Sequence, residues 1–171
     1  MKHTIALCAV LLLHGCASDR AYVEPTGPEV ARLTGKFVRD SISDWERYEI
    51  RGVDGLTTPR PFAGEAAEVT VAVAPGARRI FVRFEYNRTR SGQLFRGPGK
   101  PTEAYYILEA QFQSGREYQA NGKVGAQFTE VWIEERGTGQ TVSSRVACQP
   151  RPASAAPAIC SKPSPQGTPS Q

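Results

Sequence analysis

The feature that most constrains this chain is a period-two alternation of apolar and polar residues that recurs across its centre. In Glu68-Val-Thr-Val-Ala-Val-Ala74 the valines at 69, 71 and 73 share one face. After the turn pair Pro75-Gly76, Ile80, Val82, Phe84 and Tyr86 fall on one face, with Arg83 and Glu85 opposite. In Tyr105–Phe112, Tyr106, Leu108, Ala110 and Phe112 fall together. Successive strand residues point to opposite sides of a sheet, so this pattern puts one face in a core and the other towards solvent. No stretch keeps a helical period over three turns.

Turn chemistry separates these runs. Ser114-Gly115 directs the chain towards Arg116-Glu-Tyr118, and Asn121-Gly122 is a strong short-turn signal. Phe128–Glu135 reads as a further strand, closed by Gly137-Thr-Gly139 before Thr141–Ala147. Upstream, Arg32–Arg39 and Trp45–Val53 are strand candidates, the second ending at Val53-Asp-Gly55. The 16 glycines and 13 prolines of the 171-residue chain suit many turns. The expectation is an all-β fold, a β-sandwich or open barrel of about seven to eight antiparallel strands.

The chain begins differently. Met1-Lys2-His3 is followed by nine apolar residues, Ile5–Leu13. A nine-residue helix rises roughly 14 Å, well short of a bilayer core of about 30 Å, so the run suits a cleavable signal peptide. Leu13-His14-Gly15-Cys16 resembles the lipobox of bacterial lipoproteins, with His14 larger and more polar than the usual residue. The resemblance implies that Cys16 becomes the acylated N-terminus and the membrane anchor. Ala17 in place of the aspartate that retains lipoproteins in the inner membrane implies the outer membrane, periplasmic face. The alternative is an ordinary secretory signal with an incidental cysteine.

These readings divide the chain into a signal peptide (1–15), a lipidated tether (16–29), a β-sandwich domain (30–148) and a Pro-rich tail (149–171). Fully extended, residues 17–29 reach about 45 Å. The tail holds six prolines and, among large apolar residues, only Ile159. Outside any disulfide loop it is expected to be disordered. Cys148 and Cys160 are the two thiols left to a lipidated chain. In an oxidising periplasm such a pair reads as a disulfide, closing a loop of about 13 residues and contributing roughly 3 kcal/mol.

Several chemistries are excluded or disfavoured. Both histidines, His3 and His14, lie in the signal segment, which excludes Ser-His-Asp and Cys-His catalysis and histidine–cysteine zinc sites from the mature chain. Gly97-Pro-Gly-Lys-Pro-Thr102 fails the spacing of a phosphate loop. Glu134 and Glu135 are adjacent on a strand and face opposite ways, and Asp40 and Asp44 lie in a Ser/Asp-rich turn, so neither pair suits acid–base catalysis. No enzyme activity, cofactor or metal is expected. The net charge of +4 falls by one on loss of Lys2, too mild for a dedicated nucleic-acid binder.

The remaining functional candidate is Asn87–Glu103, a long segment between two strands. It carries Arg88, Arg90, Phe95, Arg96 and Lys100, candidate contacts for an anionic partner, with Arg78, Arg79 and Arg83 just upstream; the alternative is a solvated connector. Tyr105, Tyr106, Tyr118 and Trp132 suit core or cross-strand packing better than a sugar platform. Val69–Phe84, Tyr105-Tyr106-Ile107, Ser114–Tyr118 and Val131-Trp132-Ile133 before Gly137-Thr-Gly139 resemble uncharacterised small β-sandwich lipoprotein families, PEGA-like or carbohydrate-binding-like. That likeness implies a fold and no functional residue. The expected function is an outer-membrane-anchored structural or interaction module of the envelope, with an envelope protein as partner. The alternative is a glycan-binding module for peptidoglycan or lipopolysaccharide.

Overall fold

The computed structural model describes residues 20–41, 44–59, 68–88, 102–125, 127–152 and 155–162. Among the described residues twelve strands form in chain order: β1 Ala31–Thr34, β2 Lys36–Arg39, β3 Trp45–Val53, β4 Leu56–Thr57, β5 Thr70–Val73, β6 Gly76–Asn87, β7 Thr102–Phe112, β8 Glu117–Val124, β9 Thr129–Glu135, β10 Val146–Cys148, β11 Arg151–Pro152 and β12 Ala158–Ser161. One sheet runs β10-β9-β8-β1-β5. The other runs β11-β7-β6-β3-β2, with β12 also on β7 and β4 also on β3. The two sheets pack together, and the fold is all-β.

The alternation is what fills the core. Ile80, Val82 and Phe84 of β6 and Tyr106, Leu108, Ala110 and Phe112 of β7 meet Leu33, Val71, Val73, Tyr118, Val131 and Ile133 of the other sheet. Each fully buried Val, Leu, Ile or Phe among them contributes roughly 1.5–3 kcal/mol. The buried tyrosines keep their hydroxyls satisfied. Tyr106 bonds the Thr129 hydroxyl across the sheets, and Tyr118 accepts the Gln113 N–H at 2.9 Å.

The Trp45–Val53 strand forms as expected, and its hairpin turns at Asp54-Gly55 with φ of 52° and 81°. Two positive φ values suit a tight type I′ turn. Other expectations change. The Arg32–Arg39 run is broken at Gly35 into β1 and β2, which belong to different sheets, so the chain turns a corner of the sandwich there. Asn121-Gly122 is no turn but the middle of β8. A Cβ on Gly122 would sit 2.6 Å from the Glu130 carbonyl oxygen and 2.7 Å from Tyr48 Cε1. Glycine is there for close packing. The pairing is also not wholly antiparallel: β1 with β8 and β12 with β7 are parallel.

Both ends of the domain are tied in. The described part of the expected tether is docked. The Thr57 N–H donates to the Arg20 carbonyl at 2.9 Å, and the Tyr22 N–H to the Thr57 carbonyl at 2.8 Å. On the opposite sheet the Tyr22 hydroxyl donates to the Ala72 carbonyl, and the Ala72 N–H to Glu24 Oε2, both at 2.9 Å. At the other side, Val142 donates to Ile133 of β9 and accepts from Gln111 of β7. The Cys148–Cys160 disulfide forms, with Cα atoms 5.9 Å apart. Because β10 and β12 lie in different sheets, it staples the sheets together. Strand β11 and the start of β12 fall inside its loop, β12 carrying Cys160 itself, and residues 163–171 lie outside the described residues.

Candidate functional site

The informative surface is the outer face of the seven-stranded sheet. Residues of β3, β6 and β7 that alternate with the core positions line up there in cross-strand rows. Arg47, Glu85 and Glu103 share one row, and Glu49, Arg83 and Tyr105 the next. Arg83 sits at the hub, 2.8 Å from Glu103, 3.3 Å from Glu49 and 3.4 Å from Glu85. Arg47 reaches Glu49 at 3.3 Å and Glu85 at 3.9 Å. Burial pushes the Glu85 carboxyl up, against the lowering fields of Arg83 and Arg47. Burial also opposes the charge on Arg83, yet its hydrogen bond to Glu103 and the fields of Glu85 and Glu49 hold its pKa above the ordinary value. A guanidinium fills the space between three carboxylates, so the cluster is electrostatically closed and suits a structural role.

Beyond these rows the face changes character. Gly52, Phe81 and Ile107 form the next row, and beside them opens a groove of about 380 Å³ lined by Arg51, Leu56, Thr57, Arg79, Phe81 and Ile107 among others. Two local features build it. The register of β3 against β6 shifts between Ile50 and Gly52, and the extra residue is Arg51, re-aimed as bulged residues are. Gly52 admits the hairpin: a Cβ there would lie 2.9 Å from the Leu56 carbonyl oxygen. Arg51 is 3.7 Å from Glu49. Arg79 is exposed, and its guanidinium makes no ion pair among the described residues. Asp54 is engaged elsewhere, accepting from the Arg79 backbone N–H at 2.9 Å and pairing with Arg78 at 3.2 Å. An apolar floor with two cations at its rim suits an anionic, partly apolar ligand.

Of the five candidate contacts, Arg88 alone falls among the described residues. Arg88 is described and is held by Glu46 at 2.6 Å, with Asp44 at 4.0 Å. The hydrogen bond to Glu46 raises its pKa above the ordinary value. Arg90, Phe95, Arg96 and Lys100 lie outside the described residues. Arg78 and Arg83 are paired as given above, so Arg79 is the upstream arginine of that set without a carboxylate. Tyr106 and Tyr118 are core residues. Trp132 is largely buried beneath Arg145, whose guanidinium lies 4.3 Å from its ring centroid. Tyr105 stacks on Phe81 at 5.2 Å beside the groove.

Glu134 and Glu135 do part company. Glu134 accepts hydrogen bonds from Gln119, Asn121 and Trp132, while Glu135 pairs with Arg116 at 3.3 Å. The groove itself was missed by sequence reasoning. Its signal was present in Phe81 and Ile107, large apolar residues at the positions of β6 and β7 where the neighbours are Arg79, Arg83, Tyr105 and Glu109.

Compared with known protein families, curated proteins and solved structures, the chain matches none of them.

Proposed function

We propose that the chain is an outer-membrane-anchored periplasmic lipoprotein serving as a structural or interaction module of the cell envelope. The observation that carries this reading is Cys16, which closes a short basic-then-apolar run inside Leu13-His14-Gly15-Cys16. Two further features support it. A disulfide between the sheets suits an oxidising compartment. The docking of residues 20–24 on both sheets suits a domain carried close to its anchor.

The interaction surface is the outer face of the seven-stranded sheet, where an ion-paired cluster adjoins the arginine-rimmed groove. The expected partners are an envelope protein or, as the second class, an anionic glycan. Affinity retention of the mature protein in an envelope extract, reading proteins and glycans together, tests this. A single protein recovered at stoichiometric yield supports the module reading. Co-sedimentation with the peptidoglycan sacculus alone replaces it with the glycan-binding one.

A further inference from the structure

The groove and the N-terminal docking site are neighbours. Thr57 lines the groove, and the same Thr57 exchanges backbone hydrogen bonds with Arg20 and Tyr22. Ala21 pairs with Thr57 as a short parallel bridge. Four residue steps separate Arg20 from Cys16, and backbone of that length spans at most about 14 Å. Any anchor carried by Cys16 is therefore held close to the β3–β4 hairpin. The Tyr22 and Glu24 bonds to Ala72 on the other sheet keep the chain from peeling away and lengthening that reach.

What the domain presents at this place is suited to a bilayer surface. Arg79 is exposed and has no carboxylate partner among the described residues, although Glu109 is its cross-strand neighbour. Arg51 shares Glu49 with Arg47 and Arg83. The apolar lining is Leu56, Phe81 and Ile107, and the groove volume of about 380 Å³ is within the small-ligand range.

We infer that this groove is a membrane-facing site that takes the phosphate headgroup of a phospholipid in the leaflet holding the Cys16 anchor. The phosphate lies between Arg51 and Arg79, and the glycerol and first methylenes lie against Leu56, Phe81 and Ile107. The inference rests on the lipid-anchor reading for its orientation. The headgroup contact itself needs only the groove. One contact of this kind is weak alone, and an anchor a few residues away raises its effective concentration.

The test uses the mature chain with Cys16→Ser, which carries no acyl group, sedimented with phosphatidylcholine vesicles with and without phosphatidylglycerol. Binding is expected with the anionic vesicles and should fall with added salt. Arg79→Gln should weaken it by roughly fivefold, since each basic residue near an anionic surface contributes on the order of one such factor. Arg32→Gln on the other sheet makes the same charge change away from the groove and should leave binding within about twofold. Leu56→Ser should weaken it without altering the salt dependence.

Equal losses in Arg79→Gln and Arg32→Gln, with unchanged melting temperatures, would overturn the site in favour of unspecific charge attraction. Saturable binding of inorganic phosphate by the chain, with no binding to the anionic vesicles, would overturn the lipid source in favour of free phosphate. Palmitate labelling of the wild-type chain in cells reads the anchor separately. Labelling without vesicle binding removes the headgroup site and leaves the anchor; vesicle binding without labelling does the reverse.

Discussion

Tyr48 lies with its ring edge against Gly122, where an added Cβ would come within 2.7 Å of Cε1. The contact joins β3 of one sheet to β8 of the other, so it sets how closely the sheets approach at that point. Gly122→Ala should therefore destabilise the domain by about 1–3 kcal/mol through overpacking. The added methyl meets the Glu130 backbone as well as the ring, which limits relaxation. Urea unfolding measures the loss. An Ala variant as stable as wild type would show that the sheets part there at little cost.

The inter-sheet disulfide gives a second prediction. Peptide mapping of exported protein without reduction should recover Cys148 and Cys160 in one linked species. Replacing both with serine should lower stability by about 2–4 kcal/mol, because the crosslink ties β10 to β12 across the sandwich. Recovery of both thiols alkylated without prior reduction would remove the staple.

Lipidation is tested at one atom. Cys16→Ala should abolish palmitate labelling and move the protein from the membrane fraction to the soluble periplasm. Retention of label and of outer-membrane fractionation in this variant would sink the lipobox reading.

Glu134 supplies a pH dependence. Burial alone would raise its pKa, but hydrogen bonds from Gln119, Trp132 and Asn121, with the nearby charge of Lys36, hold it below the reference value of 4.5. A carboxylate whose folded pKa is depressed contributes stability above its unfolded value and loses it as pH falls through the folded one. Wild type should thus exceed Glu134→Gln in stability at about pH 7, and the gap should close by about pH 2. Urea midpoints at both values read the difference. A constant gap would mean that the bonds made by Glu134 do not depend on its charge.

The parts of this fold that were legible in the sequence are those set by neighbours along the chain. Ile80, Val82 and Phe84 marked the core face of β6, and Asp54-Gly55 marked a turn, because alternation and turn preference are local. What was hidden depends on residues distant in sequence. Gly35 looks like an ordinary strand glycine until β1 and β2 are seen in separate sheets. Asn121-Gly122 has turn chemistry, but Tyr48 and Glu130 close in on Gly122, Lys36 donates to Asn121 Oδ1 at 2.8 Å, and Asn121 Nδ2 donates to Glu134. The bulge at Arg51 follows from pairing with β6. Arg88 looked uncompensated because Glu46, its partner, lies 42 residues earlier.

The outer edge of β7 has a consequence for self-association. That edge is covered in turn by Arg151–Pro152, by Ala158–Ser161 and by residues around Ser143, all of them downstream of the main sandwich strands. A long uncovered edge is a template for another chain, since its N–H and C=O groups are already aligned to pair. The cover is made of short pieces, and the Cys148–Cys160 bond fixes the longest of them in place. A chain ending before Ala158 would leave the run from Ala104 to Ile107 without the strand that pairs it here. The residues closing this sandwich thus also occupy the β7 edge that a strand from another copy would need.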